Sequence, residues 1–162
     1  MAQLSHFDSK TGRARMVDVG GKAVTERVAL ARGRVKISEE LAAILKAGEL
    51  EKGDAFTVAK TAAILAAKNT GQLIPMCHPL PLNVVNVEFT LDETACVVEI
   101  EAEARTEAKT GIEMEAMVAV SVAALTFYDM CKAVDKGMVI DQVYLVEKTG
   151  GKSGLYRNDT PR

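Results

Sequence analysis

The chain has 162 residues, enough for one domain with its own core, and its 20 basic residues nearly balance 22 acidic ones, for a net charge of −2. This balance excludes a general electrostatic attraction to nucleic acid or to an anionic membrane. Aromatic residues make up 4% of the sequence and tryptophan is absent, so the core must be built from aliphatic side chains and methionine.

Residues 1–20 are polar and lack periodicity apart from the stretch at 16–19, and Gly20 and Gly21 then break the chain, which predicts an N-terminal arm over 1–22. Loose alternation of apolar residues over 24–37 predicts a strand. Ser38 is a good N-cap, acidic residues follow it, and Gly48 suits the end of a helix. The sequence therefore predicts a helix over 39–47.

Asp54 is expected to cap a second helix that runs to about Asn69 and is stopped by Gly71. Beyond a proline-rich segment, strict alternation over 85–91 predicts a half-buried strand. A short turn leads from it to a second alternating strand, over 98–104. These two strands are expected to pair as a hairpin.

A long helix is predicted next, with Thr110 and Glu113 as its capping box and Gly137 at its end. Residues 116–128 of this helix carry no charge, and a helix that is apolar on all sides is normally buried on all sides. A partner subunit is the simplest cover for a face that one chain leaves open. A last strand is predicted over 139–148.

The order β-α-α-β-β-α-β predicts an α+β protein, with a ferredoxin-like antiparallel sheet and helices packed on one face. We divide the chain into the arm at 1–22, a single catalytic α+β domain at 23–149 and a flexible glycine-rich tail at 150–162. The N-terminal residues show no apolar segment typical of a signal peptide, and the uncharged stretch falls short of the about 20 residues of a membrane span. Three cysteines without paired spacing favour reduced thiols. We therefore expect a cytoplasmic protein.

Three of the four prolines fall within residues 75–82, which also hold Cys77 and His78. Proline fixes φ and restricts the residue before it, so this segment must be a stiff extended loop outside helix and strand. Adjacent residues of an extended loop point to opposite sides, which suits neither shared metal ligation nor a Cys–His nucleophile pair. We predict no metal site, and a ligand-facing His78 is about as favoured as one hydrogen-bonded in a turn.

Charged residues stand at both ends of the long helix. Glu113 and Glu115 at its start can be explained as a capping acid and a first-turn charge that favours the helix dipole. Asp129 and Lys132 near its end are three residues apart, as in a surface ion pair. Their neighbours are apolar, so the same pair is also suited to proton transfer. The residues alone leave both interpretations open.

Six blocks of the sequence occur in one order along nearly the whole chain: residues 16–19 (MVDV), 52–54 (KGD), 73–80 (LIPMCHPL), 109–116 (KTGIEMEA), 128–134 (YDMCKAV) and 150–154 (GGKSG). In this combination the chain resembles the molybdenum cofactor biosynthesis protein C family, the cyclic pyranopterin monophosphate synthases. The resemblance implies a lyase that converts 3′,8-cyclo-7,8-dihydroguanosine 5′-triphosphate to cyclic pyranopterin monophosphate and diphosphate. It implies a homohexamer built as a trimer of dimers. We expect no cofactor, although Mg²⁺ can accompany the triphosphate.

The resemblance also implies roles for particular residues. The catalytic set would be Asp129 and Lys132 as the general acid/base pair, with Lys52 and Glu115 assisting proton transfers. The substrate would be bound by Met76, Cys77, His78, Glu113, Met114 and Glu115, and its triphosphate by Lys68 and Lys148. Two alternatives stay open: a non-catalytic oligomer that binds a purine nucleotide, and a structural oligomer in which Asp129 and Lys132 form an interface salt bridge.

Glu115 and Asp129 would stand about 21 Å apart along a continuous helix with a rise of about 1.5 Å per residue. One reacting centre cannot be reached from both positions. The conflict disappears if the helix runs antiparallel to its copy across a two-fold axis. We therefore expect each active site to be shared between two subunits.

Overall fold

A computed structural model of the chain describes residues 7–8 and 12–158. Two short strands, β1 (Phe7–Asp8) and β2 (Arg13–Ala14), pair with each other. The other elements, in chain order, are β3 (Thr25–Lys36), α1 (Glu39–Ala47), α2 (Ala55–Lys68), α3 (Thr70–Leu73), β4 (Val84–Asp92), β5 (Val97–Ala108), α4 (Glu113–Cys131), β6 (Val139–Thr149) and β7 (Tyr156–Arg157). The other five strands form one antiparallel sheet in the order β4-β5-β3-β6-β7. The predicted α+β class is confirmed.

Small side chains bring α4 close to the middle of the sheet. Ala29, Ala31 and Val35 of β3 face the helices and are fully buried. A methyl group at Gly33 would lie 2.6 Å from Cγ1 of Val120 in α4. Because real contacts are never that short, position 33 has room for glycine alone while α4 keeps this place.

Within one chain α4 is buried on only part of its surface. Phe127 is fully buried and stacks on Phe56 of α2 with ring centroids 5.6 Å apart, whereas Leu125 is 59% exposed. Among the described residues, one helix, α4, has the length and hydropathy of a membrane span. Half of its most apolar segment is buried inside this chain, as expected of a core helix. The exposed part is the face for which we expected a partner.

The cap residues set the start of the first two helices as predicted. Ser38 accepts a hydrogen bond from the backbone N–H of Leu41, and Gly48 ends α1 with a left-handed φ of 71°. Asp54 in turn accepts from the N–H of Thr57 at the start of α2. The predicted helix over 39–47 is confirmed at both ends.

The prediction that Gly71 stops the second helix is wrong. The helix α2 ends at Lys68, and Gly71 lies inside the short helix α3. A Cβ at Gly71 would lie 3.0 Å from Cα of Pro79. The glycine therefore serves the close approach of the proline-rich loop to α3.

The predicted limits of the long helix are also wrong. Its N-cap is Ile112, without a side-chain hydrogen bond, so Thr110 and Glu113 form no capping box. The helix ends at Cys131, whose carbonyl accepts from the N–H of Val134 and Asp135. The carboxylate of Asp135 accepts from the N–H of Ser38 at 2.8 Å, and this tertiary contact fixes the turn.

Candidate active site

The proline-rich loop between α3 and β4 is irregular, as its composition predicts. A turn closes its beginning, where the N–H of Cys77 donates to the carbonyl of Ile74 at 3.0 Å. Near its end the hydroxyl of Thr106 on β5 donates to the carbonyl of Pro81. The loop is thus closed by a turn before His78 and attached to β5 after it.

This loop and the start of α4 enclose a cavity of about 220 Å³. Six predicted site residues line it together, and we call them the pocket cluster: Met76, Cys77, His78, Glu113, Met114 and Glu115. Three come from the loop and three from the first turn of α4. The fold thus brings together residues that are more than thirty positions apart in the chain.

Sequence reasoning missed a further wall of the cavity, which the N-terminal arm supplies. Val17 and Lys22 line the cavity. The ammonium of Lys109 donates to the carbonyl of Gly20 at 2.7 Å and so holds the arm in place. The block at residues 16–19 was a signal for this wall, but it carries no charged pair or periodicity that points to a pocket.

Burial changes the ionisation of two groups in the pocket cluster. Glu115 is 3% exposed, and its burial, with a smaller contribution from the charge of Glu113, raises its pKa to about 7. Burial, followed by the charges of Glu115 and Glu113, also raises the pKa of the Cys77 thiol. Glu115 can therefore donate or accept a proton near neutral pH, whereas Cys77 stays a thiol and makes a poor nucleophile.

Lys148 reaches the pocket cluster from β6. Its ammonium lies 2.6 Å from Oε1 of Glu113, and both side chains are largely buried, at 28% and 27% exposed. Lys68 is exposed at the last position of α2 and does not line the cavity. Of the two lysines predicted to bind phosphate, Lys148 is thus the one in contact with the pocket cluster.

The other predicted catalytic residues meet at the opposite end of α4, and we call them the lysine cluster: Lys52, Asp129 and Lys132. The ammonium of Lys132 lies 2.7 Å from Oδ1 of Asp129, and that of Lys52 donates to the carbonyl of Asp129 at 2.9 Å. The hydrogen bond from Lys132 lowers the pKa of Asp129, and the same bond raises the pKa of Lys132. Both shifts lead away from neutrality, because the contact favours the charged form of each group. The pair is open to water, with Lys132 50% and Asp129 63% exposed.

The two clusters are separate within one chain. The helix α4 is continuous from Glu113 to Cys131. At about 1.5 Å per residue, Glu115 and Asp129 are therefore about 21 Å apart along its axis. Within one chain the predicted site residues therefore form two separate groups rather than one constellation.

A larger cavity, of about 430 Å³, lies on the open face of the sheet. Its two arginines are engaged with β5: Arg32 pairs with Glu101 at 2.7 Å and Arg34 with Glu99 at 2.6 Å. This mutual neutralisation makes it a weaker ligand site than the pocket cluster, despite its size. Over residues 7–8 and 12–158, no three His, Cys, Asp or Glu side chains are grouped so that they could hold a metal ion.

A buried carboxyl group with a pKa of about 7 lies beside a cavity that Lys22 lines and whose Glu113 pairs with Lys148. This combination defines a class of protein: an α+β enzyme that moves protons on a bound polar ligand. Comparison with known families makes the assignment specific, because the model of the MoaC family matches residues 16–151. The chain belongs to the MoaC family.

Curated relatives match over nearly their whole length. A cyclic pyranopterin monophosphate synthase of Heliobacterium modesticaldum is 57% identical over 96% of this chain and 98% of its own. Proteins of the same name from Thermomicrobium roseum and Bordetella parapertussis are 53% and 55% identical, over 98% and 96% of this chain and 95% and 96% of their own. The similarity therefore covers both clusters and the arm.

Proposed function

We propose that this protein is a cyclic pyranopterin monophosphate synthase, which acts early in the biosynthesis of the molybdenum cofactor. It converts 3′,8-cyclo-7,8-dihydroguanosine 5′-triphosphate to cyclic pyranopterin monophosphate and diphosphate. The observation that carries the proposal is the match at 57% identity to a relative of that name, over 98% of the relative's length. The residue types of both clusters suit the reaction.

Proton transfers are the main task of the protein in this chemistry, since a ring must open and another must close. Glu115, with its pKa of about 7, can take up and release a proton without a large energetic cost. Lys132, Asp129 and Lys52 supply the second set of exchangeable protons. Rearranging a triphosphate to a cyclic monophosphate needs cations around the phosphates, for which Lys148 and Lys68 are available, and His78 can add a hydrogen-bond donor. Mg²⁺ can enter with the triphosphate as part of the substrate.

The working site is shared by two copies of the chain, in this proposal. An antiparallel copy of α4 across a two-fold axis would bring the pocket cluster of one subunit to the lysine cluster of the other. Removal of water there would bring the pair of Lys132 and Asp129 into the low-dielectric surroundings that proton transfer needs.

The surface of the helices supports the same arrangement. Leu125 on α4 is 59% exposed, and Val58 and Leu65 on the neighbouring α2 are 43% and 62% exposed. Apolar side chains on two adjacent helices are expected to be covered in an oligomer.

We extend the proposal to the assembly, the fold family and the location. Three such dimers would form a homohexamer. The chain order of β3, the helices α1 to α3, β4, β5, α4 and β6 supports a ferredoxin-like topology with two additional helices. A biosynthetic enzyme with three free cysteines suits the cytoplasm.

Incubation of the purified protein with 3′,8-cyclo-7,8-dihydroguanosine 5′-triphosphate tests the activity. We expect release of one diphosphate per substrate and formation of the cyclic phosphate product, and release at least about 100-fold slower from the Lys132→Ala variant. A protein that binds the compound in calorimetry but releases no diphosphate would be a nucleotide-binding oligomer instead, and the proposal would fail.

A further inference from the structure

Gly111 lines the cavity of the pocket cluster two residues before α4 begins. Its φ lies outside the left-handed region, so the backbone conformation alone does not require glycine here. A Cβ at this position would lie 2.0 Å from Oε2 of Glu113 and 2.7 Å from its Oε1. The three atoms nearest to this position all belong to the carboxylate of Glu113.

The same carboxylate is held from its other side by Lys148, whose ammonium lies 2.6 Å from Oε1. It is thus placed between the backbone of Gly111 and the end of β6. Because Glu113 forms no capping box, its carboxylate is available for this contact. Pairs that are partly withdrawn from water are stronger and better ordered than pairs on an open surface.

We propose that Gly111 is a positioning residue for the reaction. The absence of a side chain lets the Glu113 carboxylate lie against the backbone, and from there it holds the ammonium of Lys148 next to a residue that lines the cavity. This inference rests on the proposed function, because it assigns Lys148 to the substrate phosphates. A methyl group at position 111 would force the carboxylate away and release Lys148 from its place.

Three groups would change together in that event. Lys148 would lose its partner, and the negative charge of Glu113, which contributes to the raised pKa of Glu115 and of Cys77, would move. Misplacement of binding groups by about 1 Å can cost on the order of 100-fold in rate. For Gly111→Ala we expect kcat/KM to fall by roughly 10- to 100-fold, mainly through a higher KM.

A double-mutant cycle of Gly111→Ala and Glu113→Ala tests the inference. If Gly111 acts by seating the Glu113 carboxylate, Gly111→Ala should lower kcat/KM in the parent protein and have little further effect in Glu113→Ala. Gly21→Ala is the matched control, since a Cβ at Gly21 meets nothing within 4 Å. An equal loss in both backgrounds would overturn the inference, and so would a Gly111→Ala variant with unchanged kinetics.

Two further measurements keep the test decisive. The Tm is measured for the parent, the two single variants and the double variant. If Gly111 acts through the Glu113 carboxylate, any loss of Tm caused by Gly111→Ala should be absent when Glu113→Ala is also present. Binding of inorganic triphosphate, measured by calorimetry, reports on Lys148 without turnover, and weaker binding in Gly111→Ala than in the parent is expected. If the parent releases no diphosphate, the proposed function fails; if the parent is active but the cycle is additive, only the role of Gly111 fails.

Discussion

Lys52, in the turn before α2, donates a hydrogen bond of 2.9 Å to the backbone carbonyl of Asp129 near the end of α4. This contact joins two parts of the chain that are 77 positions apart and completes the lysine cluster with Lys132. Glu115 lies at the other end of the same helix. The proposed acid/base groups are therefore divided between the two ends of α4.

Replacement of Lys132 by alanine should reduce turnover by roughly 10²- to 10⁴-fold, the usual contribution of a general acid or base. Its side chain is half exposed, so the fold and the Tm should change little. Diphosphate release and thermal unfolding measure the two effects. Lys136→Ala, an exposed lysine four residues further on, is the control and should retain full activity. Unfolding or dissociation of Lys132→Ala would make Lys132 a structural residue.

His78→Ala should weaken substrate binding more than it slows the chemistry. His78 lines the cavity on a loop that has a closed turn before this residue and a hydrogen bond to β5 after it, which suits the holding of an anionic group. We expect Kd to rise about tenfold, or about 1.4 kcal/mol, measured by calorimetry in the inactive Lys132→Ala background. A lower kcat at saturating substrate, with unchanged Kd, would contradict this assignment.

Burial of Glu115 should make folding stability depend on pH. Its pKa rises from 4.5 to about 7 in the folded protein, so its contribution is complete below about pH 4.5 and is lost as the pH rises through about 7. The loss is on the order of 3 kcal/mol for a shift of this size. Glu115→Gln cannot titrate, and its free energy of unfolding should lack this decline. Parallel pH profiles of the two proteins from pH 4.5 to 8 would show that Glu115 titrates normally.

Leu125→Glu should separate the subunits, because it places a charge on the exposed face of α4. Sedimentation should show smaller species, and diphosphate release should fall with the loss of assembly. Val139→Glu is a matched control at the start of β6, where Val139 is 51% exposed, and should leave assembly intact. Unchanged sedimentation of Leu125→Glu would place the interface elsewhere.

Local signals in the sequence were sufficient for most of the elements. The helix α1 is predicted at both ends because Ser38 and Gly48 act on their nearest neighbours. The proline-rich loop is predicted because each proline restricts its own residue and the one before it. The pocket cluster could be assembled in advance only by resemblance to a family, since spacing gave no reason to place residues 76–78 beside 113–115.

The errors occurred where a distant contact decides the local structure. Thr110 and Glu113 fit a capping box, but Glu113 instead pairs with Lys148 on β6. No glycine or proline directly follows the end of α4. The turn there is fixed instead by the contact of Asp135 with Ser38. Neither partner could be inferred from the neighbouring sequence.

The central claim is that one active site contains Glu115 of one subunit and Lys132 of another. It is tested most directly by mixing two inactive variants, Glu115→Gln and Lys132→Ala, under conditions that allow subunits to exchange. In a mixed dimer one site carries both substitutions and the other carries neither. With random exchange of equal amounts, about one quarter of the sites should be intact, and diphosphate release should return to about that fraction of the parent rate. No recovery, in samples where exchange is demonstrated by mass spectrometry, would contradict a shared site.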